Sequence, residues 1–411
     1  MDQAEFAAMV AEFRRVGPVR RVRRSDGAPG WLVTRHADVQ AALADPRLSS
    51  DLRNAGPELR ELPAFQVRDD PLHRYMLSRL DPPRHGQLRG LVSAAFTARR
   101  VEAMRPHVVR VVDALLDAFP TTGTVDLVPA YTLPVAITVI CDLLGVPAED
   151  RVTFREWTDV LLLPLTDAAS MARSAQAQRW LFEYLSALVD RKRAEPGDDL
   201  LDVLMQVRDD ARRLNRDEVV AMAVELIVAG FQPTADVITF AAYALLTHPD
   251  QLAALRAGPG AMPAAVEEFL RLASPVGLAF PRFATDDLRL GGVDIAKGDQ
   301  VLISVAAANQ DPARFGGAGT DAGPGAGADA GTGAGAAAGA FDPARRDNPH
   351  LAFGHGGHRC VGASLARLET EVAVGALLRR FERLSLAVAP DEVPWRFSLI
   401  RGIAALPVTV G

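Results

Sequence analysis

Asn215 stands three residues before Glu218 and directly ahead of an apolar run, the pattern of a capping box that opens a helix. Leu214 and Val219 are spaced to staple that start, and the helical pattern continues to about Thr247. At ~1.5 Å per residue such a helix is nearly ~50 Å long, enough to cross a domain of this size. Its middle, Met222-Ala223-Val224-Glu225-Leu226-Ile227-Val228-Ala229-Gly230, is apolar on several faces, as expected of a helix enclosed by the rest of the chain. Pro233 then interrupts it. Proline brings no N–H to the carbonyl of Ala229 and its ring opens that turn, so the helix is expected to kink there.

The rest of the chain can supply the enclosure. It has 411 residues, 49% of them hydrophobic and 23% charged, which allows a large core in one big domain or two ordinary ones. Residues 84 to 255 read as nearly all helical, with breaks at Pro134, Pro147 and Pro196-Gly197. Residues 1 to about 75 combine a helical start, the strand-like Trp31-Leu32-Val33-Thr34 and a short helix over 38–43. Short strands are expected over 288–304 and 385–410, separated by turns such as Gly291-Gly292 and Lys297-Gly298. The fold class is therefore mainly α with small β-sheets, an α+β layout. Residues 316–340 are almost wholly Gly and Ala; they can bury almost nothing and read as a flexible surface insertion inside a domain.

Two cysteines far apart, Cys141 and Cys360, argue against a disulfide framework and for a reducing compartment, with the cytoplasm as default. The N-terminus has neither a basic stretch nor an apolar run, no uninterrupted apolar segment of about eighteen residues occurs, and a soluble protein is expected. A formal net charge of −6 gives no reason to expect nucleic acid or an anionic membrane as partner.

The densest chemistry lies in Phe353-Gly354-His355-Gly356-Gly357-His358-Arg359-Cys360-Val361-Gly362, followed by the helix-like 363–369. A cysteine just ahead of a helix N-terminus is placed where thiolate is favoured, as a metal ligand requires. Gly354 and Gly356 permit backbone geometry and close approach that a side chain would block, and Gly362 leaves little bulk beside the sulfur, so a flat cofactor can lie there.

This spacing resembles the haem-binding loop of the cytochrome P450 family, and the resemblance extends over most of the chain. It implies one P450 domain over 1–411 interrupted by the 316–340 insertion, with a long kinked helix over the haem and the cysteine loop beneath. It also implies haem b (iron protoporphyrin IX) with Cys360 as the iron ligand, a thiolate whose donation favours O–O cleavage. His85 and Arg89, four apart on one helical face, together with Arg282 and His358, match the family's haem-propionate site. Glu268 and Arg271 resemble its structural Glu-x-x-Arg brace. The brace's third member, an arginine just before the phenylalanine matching Phe341, is replaced by Ala340, which points to Arg345 or Arg346.

The kinked segment departs from the family. The usual Ala-Gly-x-acid-Thr-Thr reads Ala229-Gly230-Phe231-Gln232-Pro233-Thr234 here, so Gln232 replaces the acid and Pro233 the first hydroxyl. The usual proton relay does not carry over, and Ala229, Gly230, Gln232, Pro233 and Thr234 become the candidate catalytic positions. Thr234 lies about 100° further round the helix and is a poor substitute. A water or a substrate hydroxyl can occupy the space beside the free Ala229 carbonyl.

By family position the substrate walls are the segment near 65–75, helices between 155 and 185 with Leu161-Leu162-Leu163, Val276 to Phe280, and Phe397 to Ile400. They are mostly apolar, which favours a small, moderately hydrophobic molecule. The resemblance thus implies oxygen-dependent hydroxylation or oxidative coupling in bacterial secondary metabolism. Ferredoxin and ferredoxin reductase would supply electrons, since no flavin or nicotinamide fingerprint is present; Arg99, Arg100, Arg359, Arg367 and Arg379 would offer a basic docking face. Two alternatives stay open: a peroxide-dependent enzyme, disfavoured because Gln232 lacks the arginine charge of relatives with proline here, and a catalytically silent haem-fold protein that recruits a partner enzyme.

Overall fold

The computed structural model describes residues 3–24, 27–62, 65, 74–94, 96–161, 168–206, 208–209, 212–316, 338–397 and 400–411. They group into two compact units, residues 1–67 with 260–360 and residues 68–259 with 361–411.

The first unit is built on a five-stranded mixed sheet in the order Val19–Arg23, Pro29–Val33, Gln300–Ile303, Arg282–Ala284, Leu48–Ser49. The first two strands form an antiparallel hairpin, Gln300–Ile303 runs parallel to Pro29–Val33, and the remaining pairs are antiparallel. Val33, Val301 and Ile303 have no exposed surface, and with Val39 and Leu43 of the helix His36–Ala44 they form one core cluster that also takes in Leu351. Burying each such side chain stabilises by ~1.5–3 kcal/mol, and Leu351 ties the entrance of the cysteine loop to that core. The expected strand Leu288–Leu290 and the turn at Gly291-Gly292 are present, and the strand pairs across that turn with Val293–Ile295.

The second unit is mostly helical. Its longest apolar element begins at the expected capping box: Glu218 N–H donates to Asn215 Oδ1 and Asn215 N–H to Glu218 Oε2, each at 2.9 Å. Val219, Val220, Ala221, Met222 and Ala223 are all fully buried, so over this stretch the helix is core on every face. The kink is a break: Arg216–Gly230 ends, Phe231 intervenes, and Gln232–Thr247 resumes with Pro233 in its first turn. By length and composition 216–247 can cross a membrane, but 72% of its most apolar stretch is buried in the protein, which accounts for its character. Helix Ala363–Arg380 packs on Gln232–Thr247 and on Arg105–Asp117.

Two details differ from the sequence reading. Pro134 does not break a helix; it is the second residue of Leu133–Leu144, where its missing N–H costs nothing. The stretch expected to be nearly all helical contains the strand Gly123–Asp126, which pairs with Pro407–Val410 and, through it, with Leu384–Leu386. Most of 316–340 lies outside the described residues, as do parts of the proposed substrate walls, including Leu162 and Leu163.

Candidate active site

The first unit presents the cysteine. Gly354 and Gly356 take φ of 69° and 70°, the left-handed region that glycine enters without cost. A Cβ on Gly356 would lie 2.7 Å from the Leu43 carbonyl oxygen, so the loop can seat against the helix His36–Ala44 only with glycine there. Gly354 N–H donates to Leu351 O and Cys360 N–H to Phe353 O, both at 2.8 Å, closing the loop around the turn Gly356–His358. Further anchors hold its approach. His36 Nε2 lies 3.1 Å from Pro349 O, and His350 Nε2 lies 2.9 Å from Glu267 Oε2.

The result is an exposed Cys360, whereas Cys141 is buried and its thiol is pushed up to about 12 by desolvation. Only Cys360 is displayed for ligation. Among the described residues no three His, Cys, Asp or Glu side chains converge on a metal position. One soft thiolate on a glycine-shaped loop fits the iron of a planar macrocycle. His358 sits in the same turn with Nε2 3.1 Å from Ser50 Oγ, and Arg282 is buried on its strand.

Behind the loop stands the brace. Arg271 Nε and Nη2 donate to the two oxygens of Glu268 at 2.7 Å, and both side chains are fully buried. Glu268 also accepts from Asp342 N–H and Asn348 Nδ2 at 3.1 Å, and from Arg345 Nε at 3.3–3.4 Å. Arg345, not the exposed Arg346, is thus the third cation. The position expected to carry it, Ala340, supplies its carbonyl to Arg271 Nη2 at 3.1 Å, and Ala338 O accepts from Nη1 at 2.6 Å.

The second unit carries the other candidates. His85, buried, and Arg89, half-buried, share the helix Arg84–Ser93, and Arg84 pairs with the capping Glu218. At the helix break Thr234 Oγ1 donates to Gly230 O at 3.0 Å, a back-bond that occupies its only proton. Gln232 is 4% exposed, and its Nε2 donates to Asp236 Oδ1 at 3.2 Å. Asp236 also accepts from Arg396 Nη2 at 2.9 and 2.8 Å. Burial pushes the Asp236 carboxyl up to about 7 against the pull of Arg396 and Gln232, and brings Arg401 down to about 10.

Sequence reasoning missed Asp236 and also Glu225, whose half-buried carboxylate accepts from the N–H groups of Leu77 (2.6 Å) and Ser78 (2.8 Å). Glu225 is raised by burial, opposed by those bonds. In both cases the available signal was a single acid inside an apolar helical run.

A helix-rich chain with small sheets that displays one cysteine on a glycine-shaped loop defines a haem-thiolate class of protein. The sequence pattern of the family described as Cytochrome P450 matches residues 52–258, 261–318 and 337–399. Cytochrome P450 monooxygenase PikC of Streptomyces venezuelae is 43% identical over 402 residues, covering 97% of this chain and 89% of the relative. The 6-deoxyerythronolide B hydroxylase of Saccharopolyspora erythraea is 42% identical over 404 residues, covering 97% and 94%. The crystal structure of the LnmA cytochrome P450 hydroxylase from the leinamycin pathway of Streptomyces atroolivaceus superposes with a TM-score of 0.82 at 41% identity, covering 97% and 95%.

The chain belongs to the cytochrome P450 family. It is a haem-dependent monooxygenase of the bacterial type, and the family pattern passes over residues 319–336.

Proposed function

We propose that the protein binds haem b through Cys360, with His85, Arg89, Arg282 and His358 holding the propionates, and oxidises a small, moderately hydrophobic molecule in bacterial secondary metabolism. The observation that carries the reading is the exposed Cys360 on its glycine-shaped loop. When bound, the haem supplies oxygen activation. The chain supplies the thiolate, the brace behind it and a helix break with no acid and no first threonine hydroxyl.

Relatives bearing the names mycinamicin IV hydroxylase/epoxidase and nocardicin C N-oxygenase, and a structure titled for C–S bond formation in chuangxinmycin biosynthesis, show that one scaffold accommodates several outcomes. Hydroxylation is the outcome we assign here. The exposed Leu278 and Phe280 support an apolar substrate wall. Electrons come from a cytoplasmic ferredoxin and its reductase, and the exposed Arg99, Arg100, Arg359 and Arg379 support docking of an acidic donor.

Reduced protein exposed to carbon monoxide will show the red-shifted Soret band of a thiolate-ligated haem, and Cys360→Ala will lose it. An unchanged band in the variant overturns the ligand assignment. Failure of the reconstituted electron chain to turn over any substrate that shifts the spin state overturns the catalytic one.

A further inference from the structure

Within the first unit a cavity of about 170 Å³ lies where the parallel strands Pro29–Val33 and Gln300–Ile303 begin. No residue assigned above to haem or to the substrate walls lines it. The turn Lys297-Gly298 shapes it. Gly298 takes a φ of 87°, and its carbonyl accepts from Gly56 N–H at 2.9 Å, which draws the segment from Gly56 to Leu59 over the strand ends. A Cβ on Gly298 would lie 3.0 Å from Gly56 Cα, so the close approach depends on glycine at 298.

Gln300 lines this cavity and is 1% exposed, yet neither Nε2 nor Oε1 of its amide has a hydrogen-bond partner among the described residues. Folded proteins rarely leave both ends of a buried amide unpaired. The pairing of Val301 with Trp31 sets Gly30 beside Gln300 on one face of the sheet, and Gly30 lines the cavity too. A Cβ at position 30 would lie 3.4 Å from Gln300 Oε1, so with glycine there no side chain covers that flank of the amide.

The other polar groups are committed or balanced. Trp31 Nε1 donates to Asp299 Oδ2 at 2.8 Å, and the same oxygen accepts from Ala296 N–H at 3.2 Å. The Arg21 guanidinium lies 5.4 Å from the centre of the Trp31 ring. Arg21 and Lys297 face Glu58 and Asp299 around the cavity, two cations against two carboxylates. A charged ligand would gain from one pair and lose to the other, which favours an uncharged one.

We propose that this cavity binds a small uncharged molecule through an amide edge, a primary carboxamide or a lactam, whose N–H donates to Gln300 Oε1 while its carbonyl accepts from Nε2. An amide edge offers a donor and an acceptor side by side, the complement of the two unpaired ends of Gln300. The site is independent of the haem assignment.

The test titrates benzamide and acetophenone, which differ by NH₂ against CH₃, into the haem-loaded protein by ligand-observed NMR, with the Soret band recorded alongside. One hydrogen bond of about 1 kcal/mol gives benzamide a preference of about fivefold, and losing two in Gln300→Leu weakens it about thirtyfold and erases the preference. Gly30→Ala places a methyl group against Oε1 and should erase the preference with Gln300 still present. Gln300→Leu removes two unpaired polar atoms from the interior, so its urea midpoint should be no lower than that of wild type. A lower midpoint would show that the amide has partners in the folded protein and overturns the proposal. So do equal affinities for the two probes in wild type, no detectable binding of benzamide, or benzamide affinity unchanged in Gln300→Leu. A Soret shift that tracks benzamide binding and survives in Gln300→Leu assigns the binding to the haem pocket and overturns it as well.

Discussion

Replacing Arg345 by leucine tests how the buried carboxylate of Glu268 is neutralised. Glu268 has no exposed side-chain surface and receives two short bonds from Arg271, two from Asp342 N–H and Asn348 Nδ2, and a longer one from Arg345 Nε. Arg271 alone balances its charge, so Arg345→Leu leaves a neutral, still hydrogen-bonded pair. A hydrogen bond to a charged group contributes ~1.5–3 kcal/mol, and a 3.3 Å contact belongs at the low end, giving a loss of about 1.5 kcal/mol. Arg271→Leu strands Glu268 in the interior and should cost about 3–5 kcal/mol. Arg346, exposed, should change stability by less than about 0.5 kcal/mol when made leucine. Urea unfolding with a common slope ranks the three variants by midpoint. Equal losses for the Arg345 and Arg346 variants, or a loss for Arg345→Leu as large as for Arg271→Leu, would refute the assignment of roles in the brace.

Glu369, on the helix Ala363–Arg380, has a buried Oε2 with no hydrogen-bond partner among the described residues, and desolvation raises its carboxyl well above the ordinary 4.5. The folded protein therefore keeps a proton that the unfolded chain releases, and this group's contribution to stability falls as pH rises above about 4.5. Glu369→Gln removes that term, so its melting temperature relative to wild type should climb between acid and neutral pH; a difference that stays flat or falls would contradict the assignment. Gly402→Ala sets a methyl group against Asp236 and should cost about 1–3 kcal/mol in denaturant unfolding. A variant that melts like wild type would show that the hairpin of Trp395–Phe397 and Arg401–Ile403 does not press on Asp236.

What could be read from the sequence was what is local. The capping box, the break at Pro233 and the Gly291-Gly292 turn each depend on residues within a few positions of one another, and each stands where expected. The cysteine loop was legible for the same reason, since its glycines, its turn and its thiol occupy ten consecutive positions. The strand Gly123–Asp126 was not, because its partner Pro407–Val410 lies some 280 residues away and Gly-Thr-Val-Asp has little strand character of its own.

The brace and Asp236 lie between these cases. Motif spacing put the third brace arginine at the place of Ala340, yet a buried carboxylate is satisfied by whichever donor reaches it, and that is Arg345. Motif spacing likewise ended at Thr234, two positions short of the acid that accepts from Gln232. Electrostatics reaches where the pattern stops: a carboxylate inside an apolar helix must be either protonated or paired. Asp236 and Glu225 could therefore have been marked from the sequence as groups that need partners, while the partners, Arg396 for one and the backbone of Leu77 and Ser78 for the other, required the fold. The departure at Gln232-Pro233 thus continues into a second layer, and exchanging those two residues for an acid and a threonine would place a new carboxylate beside Asp236 with no added cation to balance it.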